Sequence, residues 1–79
     1  MDKLIDIANR AVADYGFRQA VLYGSDDLGR RAGLSPQELM VLEGTVLELL
    51  AVLPIPVQPE DIAGEQDKMA GAIKSAAGG

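Results

Sequence analysis

The chain has 79 residues, with 12 acidic against 7 basic side chains, a net charge of −5, and neither cysteine nor histidine. Disulfides, thiolate metal sites and cysteine nucleophiles are thereby excluded, and the commonest general base is missing. A generic nucleic-acid or anionic-membrane surface is disfavoured too, because both need surplus Lys and Arg.

Hydrophobic residues make up 48% of the chain, yet there is one Phe, two Tyr and no Trp. An aliphatic, Ala-rich core of this kind suits a single small helical domain, one that buries about 60% of its unfolded surface. In residues 2–15, Leu4, Ile7, Ala8, Ala11 and Tyr15 fall on one stripe, widened by Ile5 and Val12. That spacing predicts an amphipathic helix, with Gly16 as the residue that ends it. "FRQAVLY" then offers Phe17, Ala20, Val21 and Leu22 to a core before Gly24 breaks it. Ser25 reads as the N-cap of a short helix with Asp26 and Asp27 in its first turn and Arg30 and Arg31 in its last. Leu28 faces inward there, and Gly33 is a second C′ glycine.

"SPQE" at 35–38 is the strongest local signal. Ser35 caps, Pro36 takes the first helical position, and Glu38 reaches back to the Ser35 backbone. "TVLE" repeats the pattern with Thr45 and Glu48, which predicts two helices, 36–43 and 46–53, meeting at a tight corner at Gly44. Leu39, Leu42, Val46, Leu49, Leu50 and Leu53 are their core positions. Pro54 and Pro56 stop the second helix, and "PIPVQP" reads as extended. After Pro59, Ile62, Met69 and Ile73 share a face, but Gly64 and Gly71 each cost about 1 kcal/mol relative to Ala. This weak C-terminal helix needs a partner to order it, and "SAAGG" frays. The expected architecture is all-α: about five short helices, an extended Pro-rich linker and a weak C-terminal helix, divided into a compact module 1–53 and a tail 54–79.

The chemistry-bearing residues are sparse. Asp26, Asp27, Glu60, Asp61, Glu65 and Asp67 do not follow the pattern of a calcium loop and read as helix-start charges and a solvated face. Of the hydroxyls, Ser25, Ser35 and Thr45 occupy cap positions, and Ser75 stands alone. A triad would require Lys3, Lys68 or Lys74 as base, all in polar contexts. No enzyme, metal or cofactor is expected. The start "MDKLIDIANR" lacks an apolar h-region, and the run Leu49 to Pro56 is far short of the ~20 residues of a membrane span. The expected location is cytoplasmic.

"DLGRRAGLSPQELMVLEGT" resembles the helix-turn-helix of lambda-repressor-like regulators, which would make Pro36 to Glu43 the recognition helix. Its outward residues, Gln37, Glu38 and Val41, include no Arg, Lys or Asn to read bases or grip phosphate. A longer resemblance rests on Phe17 and Arg18, Val21 and Leu22, Asp26, Leu28, Gly33, Leu34, Ser35, Pro36, Glu38 and Leu39. In that order they resemble the helical leader domain of ribosomally synthesised, post-translationally modified peptide precursors of the borosin type or related. That family is similar in turn to the small alpha subunit of protocatechuate 4,5-dioxygenase. The match runs from Asp14 to Leu53, about half the chain, with "GSDD" where Asp-Pro is common and Gln37 in place of a Glu.

The resemblance implies a non-catalytic handle that docks a larger protein, such as an S-adenosylmethionine-dependent backbone N-methyltransferase, followed by a tail on which the enzyme acts. Phe17, Arg18, Leu22, Arg30, Arg31 and Met40 would be docking residues. Ile55, Val57, Ile62 and Ala63 would lie in the modified segment, while Pro54, Pro56 and Pro59 have no N–H to methylate. The terminal Gly78-Gly79 reads either as a site of leader removal or, preferably, as a frayed end. Two other classes stand beside this one: a structural or regulatory small subunit, and the helix-turn-helix regulator.

Overall fold

Gly33 shows how local chemistry builds this fold. The second helix spans Tyr15–Arg31, and Gly33 takes φ of +79° just beyond it. The Leu34 N–H donates to the Gly29 carbonyl and the Gly33 N–H to that of Arg30. Those two bonds form a Schellman cap, which satisfies the last carbonyls and turns the chain.

In the computed structural model, which describes residues 1–78, the elements are α1 (Asp2–Ala13), α2 (Tyr15–Arg31), α3 (Pro36–Val41), a π-helical turn (Leu42–Val46), α4 (Leu47–Ala51) and α5 (Pro59–Gly78). No strand occurs among these residues. The all-α expectation holds, but the divisions differ. Residues 36–51 form one unbroken helical rod, because Gly44 and Thr45 lie inside the π-helical turn and Thr45 caps nothing. The expected corner at Gly44 is therefore a widened turn, with one residue absorbed into the helix rather than a break. Helix α1 stops at Asp14, not Gly16: Asp14 is extended, and its carboxylate accepts the Phe17 N–H at 3.1 Å. Gly16 sits in the first turn of α2, and Tyr15 belongs to α2 rather than to the α1 stripe. Gly24, with non-helical φ −142° and ψ 34°, breaks the helical path of α2 at a kink, where the break was expected. The cap at Ser35 forms as expected, with Glu38 N–H to Ser35 Oγ at 3.2 Å and Ser35 N–H to Glu38 Oε1 at 2.9 Å.

The core is aliphatic. Leu4, Ala8, Ala11 and Val12 of α1 meet Val21 of α2, Val41, Leu42, Val46 and Leu50 of the rod, and Met69 and Ile73 of α5. Each buried Leu, Ile, Val or Met contributes about 1.5–3 kcal/mol relative to exposure. Helix α5 lies along α1, and Gln66 Nε2 donates to the Asn9 carbonyl at 3.0 Å. The C-terminal helix thus finds its ordering partner within the chain. Its packing offsets the cost of Gly64 and Gly71, and the helix continues through Ser75 to Gly78 where fraying was expected. Val57 of the linker is buried in the same cluster, so residues 54–78 share the core of residues 1–53. The reading of the terminal double glycine falls partly on Gly79, which lies outside the described residues.

Candidate functional site

Helix α2 carries Tyr15, Arg18, Gln19, Leu22 and Tyr23, spaced three and four apart and so on one face. Opposite them stand Leu50 and Ala51 at the end of the rod and Ile55 of the linker. Between the two walls lies a cavity of about 390 Å³. The rod ends just there, with the Leu53 carbonyl just beyond it facing Arg18 of α2, and the prolines that follow keep the linker from continuing the helix.

Arg18 is the anomaly of this site. It is the one charged side chain buried among the described residues, only 1% exposed. Its Nη1 donates to the Leu53 carbonyl at a long 3.4 Å, and its guanidinium lies 5.3 Å from the centroid of the Tyr15 ring. The negative end of the rod gives partial compensation, but no carboxylate pairs with Arg18, and its buried Nε has no acceptor. A buried donor without a partner costs about 1–3 kcal/mol, more when charged. Beside it, the buried Gln19 Oε1 has no donor, although the amide Nε2 contacts the Tyr15 hydroxyl. Tyr23 and Ile55, 86% and 69% exposed, form the outer rim.

The structure brings together only part of the expected docking set. Arg18 and Leu22 line the cavity. Phe17 is half-buried, with the Arg10 guanidinium 4.2 Å above its ring. Arg30 and Arg31 are exposed and paired with Asp26 and Asp27 at 3.1 and 3.0 Å, pairs whose usual contribution is about 0.3–0.5 kcal/mol. Met40 is 75% exposed on α3, outside the cavity. Of the tail residues, Ile55 and Ala63 are exposed, Ile62 is half-buried and Val57 is buried. Gln19, Tyr23 and Ala51 carry no expectation from the sequence, and Tyr15 and Leu50 were expected in the core rather than at a site. A signal existed: one arginine within an apolar and aromatic stripe at helical spacing.

The face of α3 required by a helix-turn-helix reading is occupied. Val41 points into the core rather than outward. Gln37 Nε2 donates to the Ala77 carbonyl of α5 at 3.2 Å, and the α-ammonium group of Met1 lies 3.6 Å from Glu38. The backbone and hydroxyl hydrogen bonds from Ser35 hold the Glu38 carboxyl below its ordinary range, outweighing the opposing effect of burial.

Among the described residues, no group of three or more acidic side chains is placed to hold a metal ion. No helix among them is long and apolar enough to cross a membrane. Comparison with protein-family models, with curated proteins and with solved structures finds no match to this chain.

Proposed function

We propose that this protein is a non-catalytic recognition module that docks on a larger protein. The supporting observation is the Arg18 cavity, where an unpaired buried cation sits inside a rim of exposed Tyr23 and Ile55. Large exposed apolar side chains beside an unsatisfied polar group are features of a surface awaiting a partner. In its most concrete form the protein is a modified-peptide precursor, located in the cytoplasm with its enzyme, whose leader-like helices engage a backbone N-methyltransferase. Exposure ranks the candidate positions: Ile55 and Ala63 are open to an enzyme, while Val57 must first leave the core. Mass spectrometry after co-expression with neighbouring genes tests this reading. A mass shift confined to residues 54–79 supports the precursor. An unmodified chain with no bound protein would refute both the precursor and the docking module.

A specific observation favours a second reading, the structural or regulatory small subunit. Residues 59–78 are already packed on α1 through Met69 and Ile73, which suits a stable subunit better than a threaded substrate. An unmodified chain that co-purifies with its partner is the outcome this reading predicts.

A further inference from the structure

We infer that the Arg18 cavity is a carboxylate-binding site, filled by an acidic side chain of the protein partner set beside an apolar residue. The inference rests on the docking reading and gives the partner's surface its chemistry.

The guanidinium presents a planar fork of donors. Nη1 is engaged by the Leu53 carbonyl, which leaves the Nε edge, with Nε buried and unpartnered. A carboxylate is the group whose two oxygens match such an edge with parallel hydrogen bonds, the strongest pairing an arginine makes, and Arg18 lines the cavity that would admit it. Gln19 adds a second contact. Rotation of its amide lets the Tyr15 hydroxyl donate to the oxygen and frees the NH₂ as a donor for the same carboxylate. No acidic side chain of the chain pairs with Arg18 among the described residues; Asp26, Asp27, Glu38 and Glu65 have other partners. The net charge of −5 repels free anions at long range, so the site does not act by general attraction. What selects a protein side chain over a small free anion is the rim. Leu22, Leu50, Tyr23 and Ile55 surround the cavity, and the last two project beyond it, offering apolar area that acetate or a similar ion would leave unused.

The test is an NMR titration of the full chain, following the Arg18 Nε–H and the Tyr23 and Ile55 resonances. The probes are acetyl-Leu-Glu-Leu-amide, its Gln counterpart and acetate. The Glu peptide is expected to shift all three resonances saturably. The Gln peptide should bind about tenfold more weakly, the effect of losing one charge-assisted hydrogen-bonded pair. Arg18→Met should abolish the shift at Tyr23 and Ile55 while the protein stays folded by circular dichroism. If that variant unfolds, Arg18→Lys keeps the charge without the fork and should show the same tenfold loss. Equal binding of the Glu and Gln peptides, or no shift with either, overturns the carboxylate site. Acetate binding as tight as the Glu peptide overturns the protein partner and leaves a small-anion site. These outcomes concern the cavity alone, whereas failure of co-purification would remove the docking module itself, so the two readings fail separately.

Discussion

The two halves of α2, on either side of the bend at Gly24, are built on opposite terms. In the C-terminal half, Gly29 lies so close to the rod that an added Cβ would overlap Leu39 Cδ2 and press on Leu34 and Leu42 at 3.3 Å. The Schellman cap closes this half, and its outward acids and arginines pair with one another. Within that half every buried group has a neighbour. In the N-terminal half, Arg18 and Gln19 keep buried polar atoms without partners, and the adjoining rod stands off across a cavity. Folding alone explains the first half, since close packing and satisfied hydrogen bonds both lower the free energy. It does not explain the second. Buried unsatisfied groups oppose folding, and at Arg18 and Gln19, which line the cavity, a binding role supplies the reason for keeping them.

Breaking the closed half carries the largest effect. Gly29→Ala should destabilise the protein by about 0.5–2 kcal/mol, the overpacking against Leu39, Leu34 and Leu42 exceeding the roughly 1 kcal/mol that Ala gains over Gly inside a helix, measured by urea unfolding. A loss below that range would mean that the rod yields easily and the two halves differ less than their geometry suggests. Ser35→Ala removes the cap that starts α3 and should cost about 1 kcal/mol. It should also reduce the acid dependence of stability in part, since the hydroxyl's contribution is lost while the larger one, from the Ser35 backbone N–H, stays. Because the folded protein holds Glu38 below its ordinary range, this carboxylate contributes stability that is present above the unfolded value and is lost as pH falls through the folded one. Unfolding curves at neutral and acid pH read the difference, which should shrink in the variant. Asp27→Asn removes one exposed ion pair and should change stability by no more than about 0.5 kcal/mol. Tyr23→Ala sharpens the comparison from the open side. At 86% exposure its effect on stability should stay within about 0.5 kcal/mol, while binding of the Glu peptide weakens. A variant that lost stability instead would make Tyr23 part of the fold.

Much of this fold was legible in short-range chemistry. Ser35, Pro36 and Glu38 mark a start, Gly33 marks a stop, and the stripe through Leu4, Ala8 and Ala11 marks a buried face. The errors came where tertiary packing overrode local preference. Gly44 and Thr45 look like a corner, yet Leu42, Val46 and Leu50 are drawn into one core, and the helix widens to accommodate them. Gly64 and Gly71 weaken α5 in isolation, but Met69 and Ile73 secure it against α1. The site was harder to read. Arg18 was expected as a surface contact, because an arginine in a short helix is usually solvated. Its burial depends on the return of the rod end and linker, Leu50 to Ile55, which no local pattern specifies.

The most direct test of whether Arg18 is kept for binding rather than folding is the urea unfolding free energy of Arg18→Met. Methionine keeps an unbranched apolar stem and removes the unpaired charge, and replacing buried ionic groups by apolar ones of similar volume is often neutral or stabilising by about 1–4 kcal/mol. The account predicts a variant at least as stable as the parent that no longer binds the Glu peptide. A loss of more than about 2 kcal/mol, beyond the net contribution of one typical hydrogen bond, would contradict it and make the Arg18–Leu53 contact a support of the fold.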